Sequence, residues 1–249
     1  MGKMKISSWF LTDKGRRRES NQDSCRVNDD LGLYIVADGM GGHSGGEIAS
    51  QMAVQIAEDV ASHAHFEKLH PREALGRMYF EASQKIYDKA ANENRELMGM
   101  GTTMVAALLR GKNLYIGNVG DSRCYLYQKS FLWQLTEDHS MINEQLRAGL
   151  ITEDQSKKMS GKNVITRSVG YEREVVPDII EKKLEPGEIY LLCSDGLTGM
   201  VSHDEIQHIL STEKPEDMAR CCVEKALENG GDDNVTVMIL QVQKDEKGT

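Results

Sequence analysis

Four aspartates stand at the ends of apolar, strand-like stretches of the sequence. Asp38 follows the run LYIVA, Asp121 follows LYIGNVG, Asp195 follows IYLLCS, and Asp233 precedes NVTVMIL. Side chains at the ends of strands can converge at one rim of a sheet, and carboxylates gathered there repel one another unless cations lie between them. Such hard oxygen ligands suit Mg²⁺ or Mn²⁺ better than Zn²⁺. Together the four predict a divalent metal centre, although an Asp-Gly or Asp-Asn pair taken alone is typical of a turn.

Two further residues extend this prediction towards phosphate chemistry. Gly39 opens a segment with five glycines in eight positions, and its carbonyl can approach an ion closely because glycine has no Cβ. Arg18 lies in GRRRESNQD, shortly before Asp23 and the start of the next strand-like run. A guanidinium beside a carboxylate–metal cluster can grip a phosphate with two hydrogen bonds. Two divalent ions, a water between them and an arginine clamp would hydrolyse phosphate esters.

Composition excludes several other classes of protein. The chain has 249 residues, a net charge of −9 and 39% hydrophobic residues, which suits a globular fold but not a nucleic-acid binder. No apolar run approaches membrane-spanning length, and the run in MGKMKISSWFL is too short for a signal peptide. We therefore expect a cytoplasmic protein without a membrane partner. The five cysteines have no framework spacing and are interpreted as reduced structural thiols.

The elements that position these residues can be read from the hydrophobic pattern. Apolar faces at helical spacing predict helices around residues 48–60 and 75–86, and a second pair at SHDEIQHIL and PEDMARCCVEKALE. Short strand-like runs fill most of the remaining chain: KISSWFLTD, DSCRV, LGLYIVAD, TTMVAALL, NLYIGNVGD, RCYLYQ, FLWQL, VVPDIIEKKL, EIYLLCSD and DNVTVMILQVQ. Because strands follow one another directly and helices come in pairs, we expect an α+β domain of antiparallel sheets with helices outside. Residues 1–249 are taken as one domain.

With these motifs assembled, the sequence resembles the metal-dependent protein phosphatases of type 2C in their compact bacterial form. The motifs that carry the resemblance occur in the family's order across nearly the whole chain: RESNQD, VADGMGGH, GTT, GNVGDSR, LTEDHS, LLCSDGL and DDNVTV. The resemblance implies a four-layer α/β/β/α sandwich of two antiparallel sheets flanked by helix pairs, with the metal centre in a cleft at one end. It also implies a flap beside the cleft at about residues 141–170, where SMINEQLRAGLI predicts a short helix and TEDQSKKMSGKN an irregular excursion.

The resemblance assigns the metal ligands by position. It implies that Asp38 bridges two Mn²⁺ or Mg²⁺ ions and that Asp195 and Asp233 complete the first ion. The Gly39 carbonyl would ligate the second ion, and Asp23 would hold metal-bound water.

It also implies roles around these ligands and a reaction. Asp121, with Asp195, would bind a third ion, Arg18 would grip the substrate phosphate, and Ser194 and Asn234 would support the ligands. The implied activity is hydrolysis of phosphoserine and phosphothreonine in proteins by direct attack of a metal-bridging water or hydroxide. Substrates would be phosphoproteins, either targets of a bacterial Ser/Thr kinase or a small regulator in a partner-switching cascade, and the default state is a monomer.

The sequence leaves several alternatives. Many eukaryotic relatives carry a proposed general-acid histidine directly after the Asp-Gly pair, whereas this chain has Met40 there and His43 three residues later. The general acid is therefore unassigned. A catalytically inactive binding or sensing module is the rival function, but it should have lost Arg18 or some of the aspartates. The histidines of SHAHFEKLH at positions 63, 65 and 70 could suggest zinc, and we interpret them as ordinary helix-end residues. The glycine segment lacks the third glycine of a dinucleotide-binding loop.

Overall fold

Two antiparallel sheets form the centre of the protein in the computed structural model, which describes residues 4–63, 66–92, 97–156 and 164–244. Sheet I has the spatial order β1 (Met4–Asp13), β11 (Val235–Lys244), β10 (Ile189–Cys193), β7 (Arg123–Gln128) and β8 (Phe131–Gln134). Sheet II has the order β2 (Asp23–Asn28), β3 (Leu33–Met40), β5 (Met104–Arg110), β6 (Asn113–Val119) and β9 (Asp178–Lys183). The two-residue strand β4 (Gly101–Thr102) pairs with the end of β3.

Helix pairs cover the outer faces of both sheets. Sheet II is covered by α1 (Gly42–Ser62) and α2 (Pro71–Asn92), which are linked through a 3₁₀ turn at Phe66–Lys68. Sheet I is covered by α6 (His203–Thr212) and α7 (Pro215–Glu228). Three short helices complete the described part of the chain: α3 (Met141–Arg147), α4 (Glu153–Ser156) and α5 (Asp195–Thr198). None of the described helices is long and apolar enough to cross a membrane.

Alternation along the strands produces three separate hydrophobic cores. In β3, Ile35 and Ala37 pack with α1 and α2, whereas Tyr34 and Val36 face the other sheet. In β10, Leu191 packs towards the α6–α7 pair and Leu192 lies between the sheets. Because successive side chains of a strand point to opposite faces, strands buried on both sides require a layer on each side. Three cores between four layers give the predicted α/β/β/α order.

Most predicted elements occur, but two strands have different bounds and one segment predicted as irregular contains a helix. The strand predicted through EIYLLCSD stops at Cys193, and Asp195 instead begins α5. The strand predicted from Val175 begins only at Asp178, since Pro177 has no N–H for a ladder. In the proposed flap, α3 matches the predicted short helix. The irregular excursion is partly wrong, because α4 lies within it, and its remaining residues 157–163 fall outside the described part.

Candidate metal centre and phosphate site

The strand order brings the four strand-end aspartates to one rim. The strands β3 and β6 both pair antiparallel with β5. Asp38, near the end of β3, and Asp121, just beyond β6, therefore lie at the same edge of sheet II. In sheet I, β10 and β11 are antiparallel, which places Asp195 beside Asp233. All four line a pocket of about 520 Å³, together with Arg18 and Gly39. We call this the acidic pocket.

Asp38 points between the two sheets because of its position in β3. It shares the face of Tyr34 and Val36, which pack in the inter-sheet core. Its backbone is fixed by the break between β4 and β5: the Asp38 N–H donates to Thr103 Oγ1 at 3.0 Å, and its carbonyl accepts from Thr103 N–H and Thr102 Oγ1. The two threonines belong to the GTT motif, to which sequence reasoning assigns no role.

Asp23 lies directly opposite Asp38 in the β2–β3 register. Its Oδ2 accepts hydrogen bonds from Ser194 Oγ and Thr236 Oγ1, both at 2.7 Å, while its buried Oδ1 has no partner among the described residues. Like charges directly opposite each other destabilise a sheet, and an unpartnered buried oxygen adds to that cost. Ser194 therefore supports Asp23, and one carboxylate oxygen remains free for a ligand.

Burial and mutual repulsion raise the pKa values of the pocket's carboxyl groups. Burial raises the pKa of Asp23 to about 7 and that of Asp121 to about 7, with further contributions from nearby carboxylates that include Asp195. The pKa of Asp38 lies well above its usual range, first through burial and then through Asp23 and three other aspartates. Burial and Asp233 also raise the pKa of Asp195, and a hydrogen bond with Asp38 opposes this shift. These groups hold their protons more firmly than ordinary aspartates until a positive charge joins them.

The loop that carries Asp121 is held by a buried histidine that sequence reasoning missed. His139 Nδ1 accepts from Gly120 N–H at 3.0 Å, so its Nε2 carries the proton and donates to Asp178 at 3.1 Å. Gly120 has φ +100°, and a Cβ there would lie 2.6 Å from Thr103, so only glycine fits. The histidine was visible in LTEDHS, but nothing in local spacing indicated its partner 19 residues earlier.

Arg18 and Asn234 link the loop before β2 to the start of β11. Arg18 donates to Asp233 Oδ2 at 2.6 Å, and the arginine side chain remains 51% exposed. Asn234 donates from Nδ2 to the carbonyls of Lys14 and Ser20, and its Oδ1 accepts from Gln22 N–H. The predicted clamp is therefore at the mouth of the acidic pocket, where its present partner is a carboxylate that a phosphate would have to replace.

The donor set of the acidic pocket fits hard divalent cations. It offers carboxylate oxygens, and the free Oδ1 of Asp23 lies behind the pocket. The carboxylates repel one another and so raise one another's pKa, and bound Mg²⁺ or Mn²⁺ would relieve this repulsion. As they stand, no three His, Cys, Asp or Glu side chains of the described ranges are close enough to hold one ion between them. The carboxylates would therefore have to move together around a cation, which agrees with their mutual repulsion.

The other candidate chemistries find no support in the described part of the chain. His63 Nδ1 lies 2.6 Å from the Asp59 carbonyl and His70 Nδ1 accepts from Arg72 N–H, which are ordinary local contacts. The third histidine of that segment, His65, and the side chain of His43 lie outside the described residues. All five cysteines are free thiols.

Replacing Gly39 with alanine is expected to destabilise the protein by about 1–3 kcal/mol, because overpacking of backbone atoms cannot be relieved by a rotamer change. The new Cβ would overlap the Gly46 carbonyl oxygen and lie 2.7 Å from that of Gln22. Gly76→Ala is the matched control: it lies in α2 with no atom within 4 Å of the added Cβ, and should stabilise by up to about 1 kcal/mol. Urea denaturation of both variants measures the difference, and equal midpoints would contradict the packing argument.

The chain is similar to known protein phosphatases over nearly its whole length. The family model described as Protein phosphatase 2C matches residues 5–235. Serine/threonine phosphatase stp of Listeria monocytogenes is 39% identical over 245 residues, covering 96% of this chain and 97% of its own. Protein phosphatase PhpP of Streptococcus pneumoniae is 37% identical over 251 residues, covering 98% and 99%.

Solved structures give the same result for the fold. The serine/threonine phosphatase PstP/Ppp of Mycobacterium tuberculosis superposes with a TM-score of 0.88 at 31% identity, over 96% of this chain and 99% of that one. The catalytic domain of PstP in complex with two manganese ions gives a TM-score of 0.86 at 31% identity, with the same coverage. The predicted pair of antiparallel sheets flanked by helices is confirmed.

Proposed function

Because the chain belongs to the protein phosphatase 2C family and is a metal-dependent protein serine/threonine phosphatase, we propose that hydrolysis takes place in the acidic pocket. The observation that carries this assignment is the convergence of Asp38, Asp121, Asp195 and Asp233 from four strand ends beside Arg18. A two-ion centre is supported by the likeness to a structure that holds two manganese ions. The alternative of an inactive binding module has no support.

The proposed metal ligands of the acidic pocket divide between two ions. Asp38 would bridge both ions, Asp195 and Asp233 would complete one, and the Gly39 carbonyl would complete the other. When bound, the two ions supply a nucleophile from water at neutral pH and neutralise charge on the phosphate.

The residues around the proposed metal ligands would accept a proton or hold the phosphate. Asp23 keeps its free Oδ1 behind Asp38, where it would accept a proton or a hydrogen bond from bound water. Ser194 and Thr236 fix its other oxygen, so the free atom keeps its orientation. Arg18 would leave Asp233 and take two phosphate oxygens, since the guanidinium fork matches that geometry. Met40, which lines the pocket, has no proton to donate and therefore is not the general acid.

The test of this function is phosphate release from a phosphothreonine peptide with Mn²⁺, with Mg²⁺ and with a chelator. Faster phosphate release with Mn²⁺ or Mg²⁺ than with chelator supports the assignment. No release from folded, metal-loaded protein would contradict it.

Arg18→Ala is expected to raise the KM for a phosphopeptide about tenfold or more, because charge-assisted hydrogen bonds contribute about 1.5–3 kcal/mol each. Arg17→Ala is the matched control, since Arg17 is a neighbouring arginine with 75% exposure whose ion pair among the described residues is a 3.6 Å contact to Asp232. Steady-state kinetics separates the two, and Mn²⁺ titration shows whether the loss of the Asp233 partner changes metal affinity. An unchanged KM for Arg18→Ala would reject the clamp.

Further proposals rest on the family resemblance and on fewer observations. Asp121, which lines the acidic pocket beside Asp195, would hold a third ion with it. Residues 1–249 would act as one domain whose flap, at about 141–170, influences substrate choice. A monomeric state, a cytoplasmic location and substrates shared with a bacterial Ser/Thr kinase complete the set.

A further inference from the structure

A second pocket, which we call the side pocket, adjoins the acidic pocket. It has a volume of about 370 Å³, and Met40, Gly41 and Ile165 line both pockets. Its outer wall includes Tyr171 and Val175, which lie after the proposed flap. A group that leaves the acidic pocket along this shared wall therefore enters the side pocket directly.

Apolar side chains around the side pocket are exposed. Tyr171, which lines it, is 60% exposed. Three chain neighbours of its lining residues are also open to solvent: Met98 at 71%, Val164 at 45% and Val176 at 78%. The exposed ring of Tyr171 in a pocket that adjoins the acidic pocket offers an apolar surface that another molecule can cover.

We propose that the side pocket receives an apolar side chain of the phosphoprotein substrate, from a residue within about three positions of the phosphorylated serine or threonine. This inference rests on the proposed function of the acidic pocket. An extended chain advances about 3.3–3.6 Å per residue, so a residue one to three positions away reaches across the shared wall. The enzyme would thereby prefer some phosphorylated sequences over others, although its metals and arginine read only the phosphate.

The charges of the side pocket favour an apolar occupant over an acidic one. Arg167 lines the pocket and is paired with Asp178 at 2.9 Å, so an acidic occupant would have to compete with that carboxylate for the arginine. Glu172 also lines it and forms no ion pair within the described ranges. An acidic side chain would meet this carboxylate without a free cation to offset the repulsion, while an apolar side chain gains contact with Tyr171 and Val175.

The experiment compares phosphothreonine peptides in which leucine or serine occupies each position from three before to three after the phosphothreonine. The small substrate para-nitrophenyl phosphate, which has no flanking residues, reports the acidic pocket alone. We expect wild-type kcat/KM to favour leucine over serine at one position by about tenfold, the scale of a modest change in a hydrophobic pocket. Tyr171→Ser should remove that preference and leave hydrolysis of para-nitrophenyl phosphate unchanged.

Phe131→Ser is the matched control, because Phe131 is 59% exposed on β8 and lines neither pocket. It should keep the preference for leucine. Val175→Thr, which preserves side-chain size, should also weaken the preference. It is the second variant, to be used if Tyr171→Ser fails to fold. Equal rates for all peptides with wild type, or an intact preference in the Tyr171 and Val175 variants, would overturn the side-pocket proposal. If the wild-type protein hydrolysed none of these substrates, the proposed function would be overturned instead.

Discussion

Asp38→Ala is expected to lower phosphopeptide hydrolysis by more than about 100-fold, since even partners outside the ligand shell cost about 10–100-fold when removed. The proposed role of Asp38 as the ligand shared by two ions makes both depend on it. Its position supports that role: it faces the inter-sheet space from β3, opposite Asp23 and beside Asp195. Activity is measured as phosphate release at saturating Mn²⁺.

The same position predicts an opposite effect on stability. The pKa of Asp38 is well above its usual range because the carboxylate is buried among other carboxylates. Replacing it with neutral asparagine should therefore stabilise the protein in chelator, as expected where function requires a destabilising charge. Mn²⁺ should stabilise wild type and should have a smaller effect on Asp38→Asn.

Asp59→Ala provides the matched control, because Asp59 lies on α1 with an exposed carboxylate that accepts only from Gln55 among the described contacts. It should retain wild-type activity and the full response to Mn²⁺. Near-normal turnover by folded Asp38→Ala would reject the metal assignment for the whole pocket.

The sequence predicts the layers of this fold because burial leaves a periodic record. The strand β3 is apolar at every position before Asp38, β10 is apolar throughout, and α2 carries its apolar face at helical spacing from Leu75 to Ile86. The sequence also predicts a need for glycine at position 39, so that its carbonyl can approach an ion, whereas the close contacts in the structure are with the carbonyls of Gly46 and Gln22. These signals are patterns within short segments, so they can be detected in a single sequence.

The contacts that hold the aspartates in place are long-range and leave no local pattern. Thr103 supports the Asp38 backbone across 65 positions, and Ser194 reaches Asp23 across 171. His139 fixes the loop of Asp121 through Gly120, a contact that depends on the turn after β6. The opposition of Asp23 and Asp38 follows only from the strand register. Threonine, serine and histidine are common at such positions, so their type alone does not reveal the partner.

Removing the metal is expected to abolish activity and to make stability fall as pH rises from about 4 to 7. The physical reason is the pKa of Asp23 and of Asp121, which the folded protein raises from 3.8 to about 7. Between the two values the folded state binds more protons than the unfolded chain, so each group lowers the free energy of unfolding by up to about 1.4 kcal/mol per pH unit. The stabilising effect of the protonated groups is complete below their unfolded pKa and lost above about 7.

Urea denaturation in chelator and in Mn²⁺, at several pH values, measures this dependence. Mn²⁺ should flatten the slope, because the cation replaces the protons that the carboxylates otherwise hold, and binding should release protons into weakly buffered solution. Asp121→Asn should reduce the slope in chelator by removing one of the two groups, whereas Asp59→Asn should not. If Asp121 also holds a third ion, equilibrium dialysis should find one Mn²⁺ fewer in Asp121→Asn than in wild type. A pH-independent stability of the chelated wild type would contradict the burial of these charges, and an unchanged ion count would contradict the third site alone.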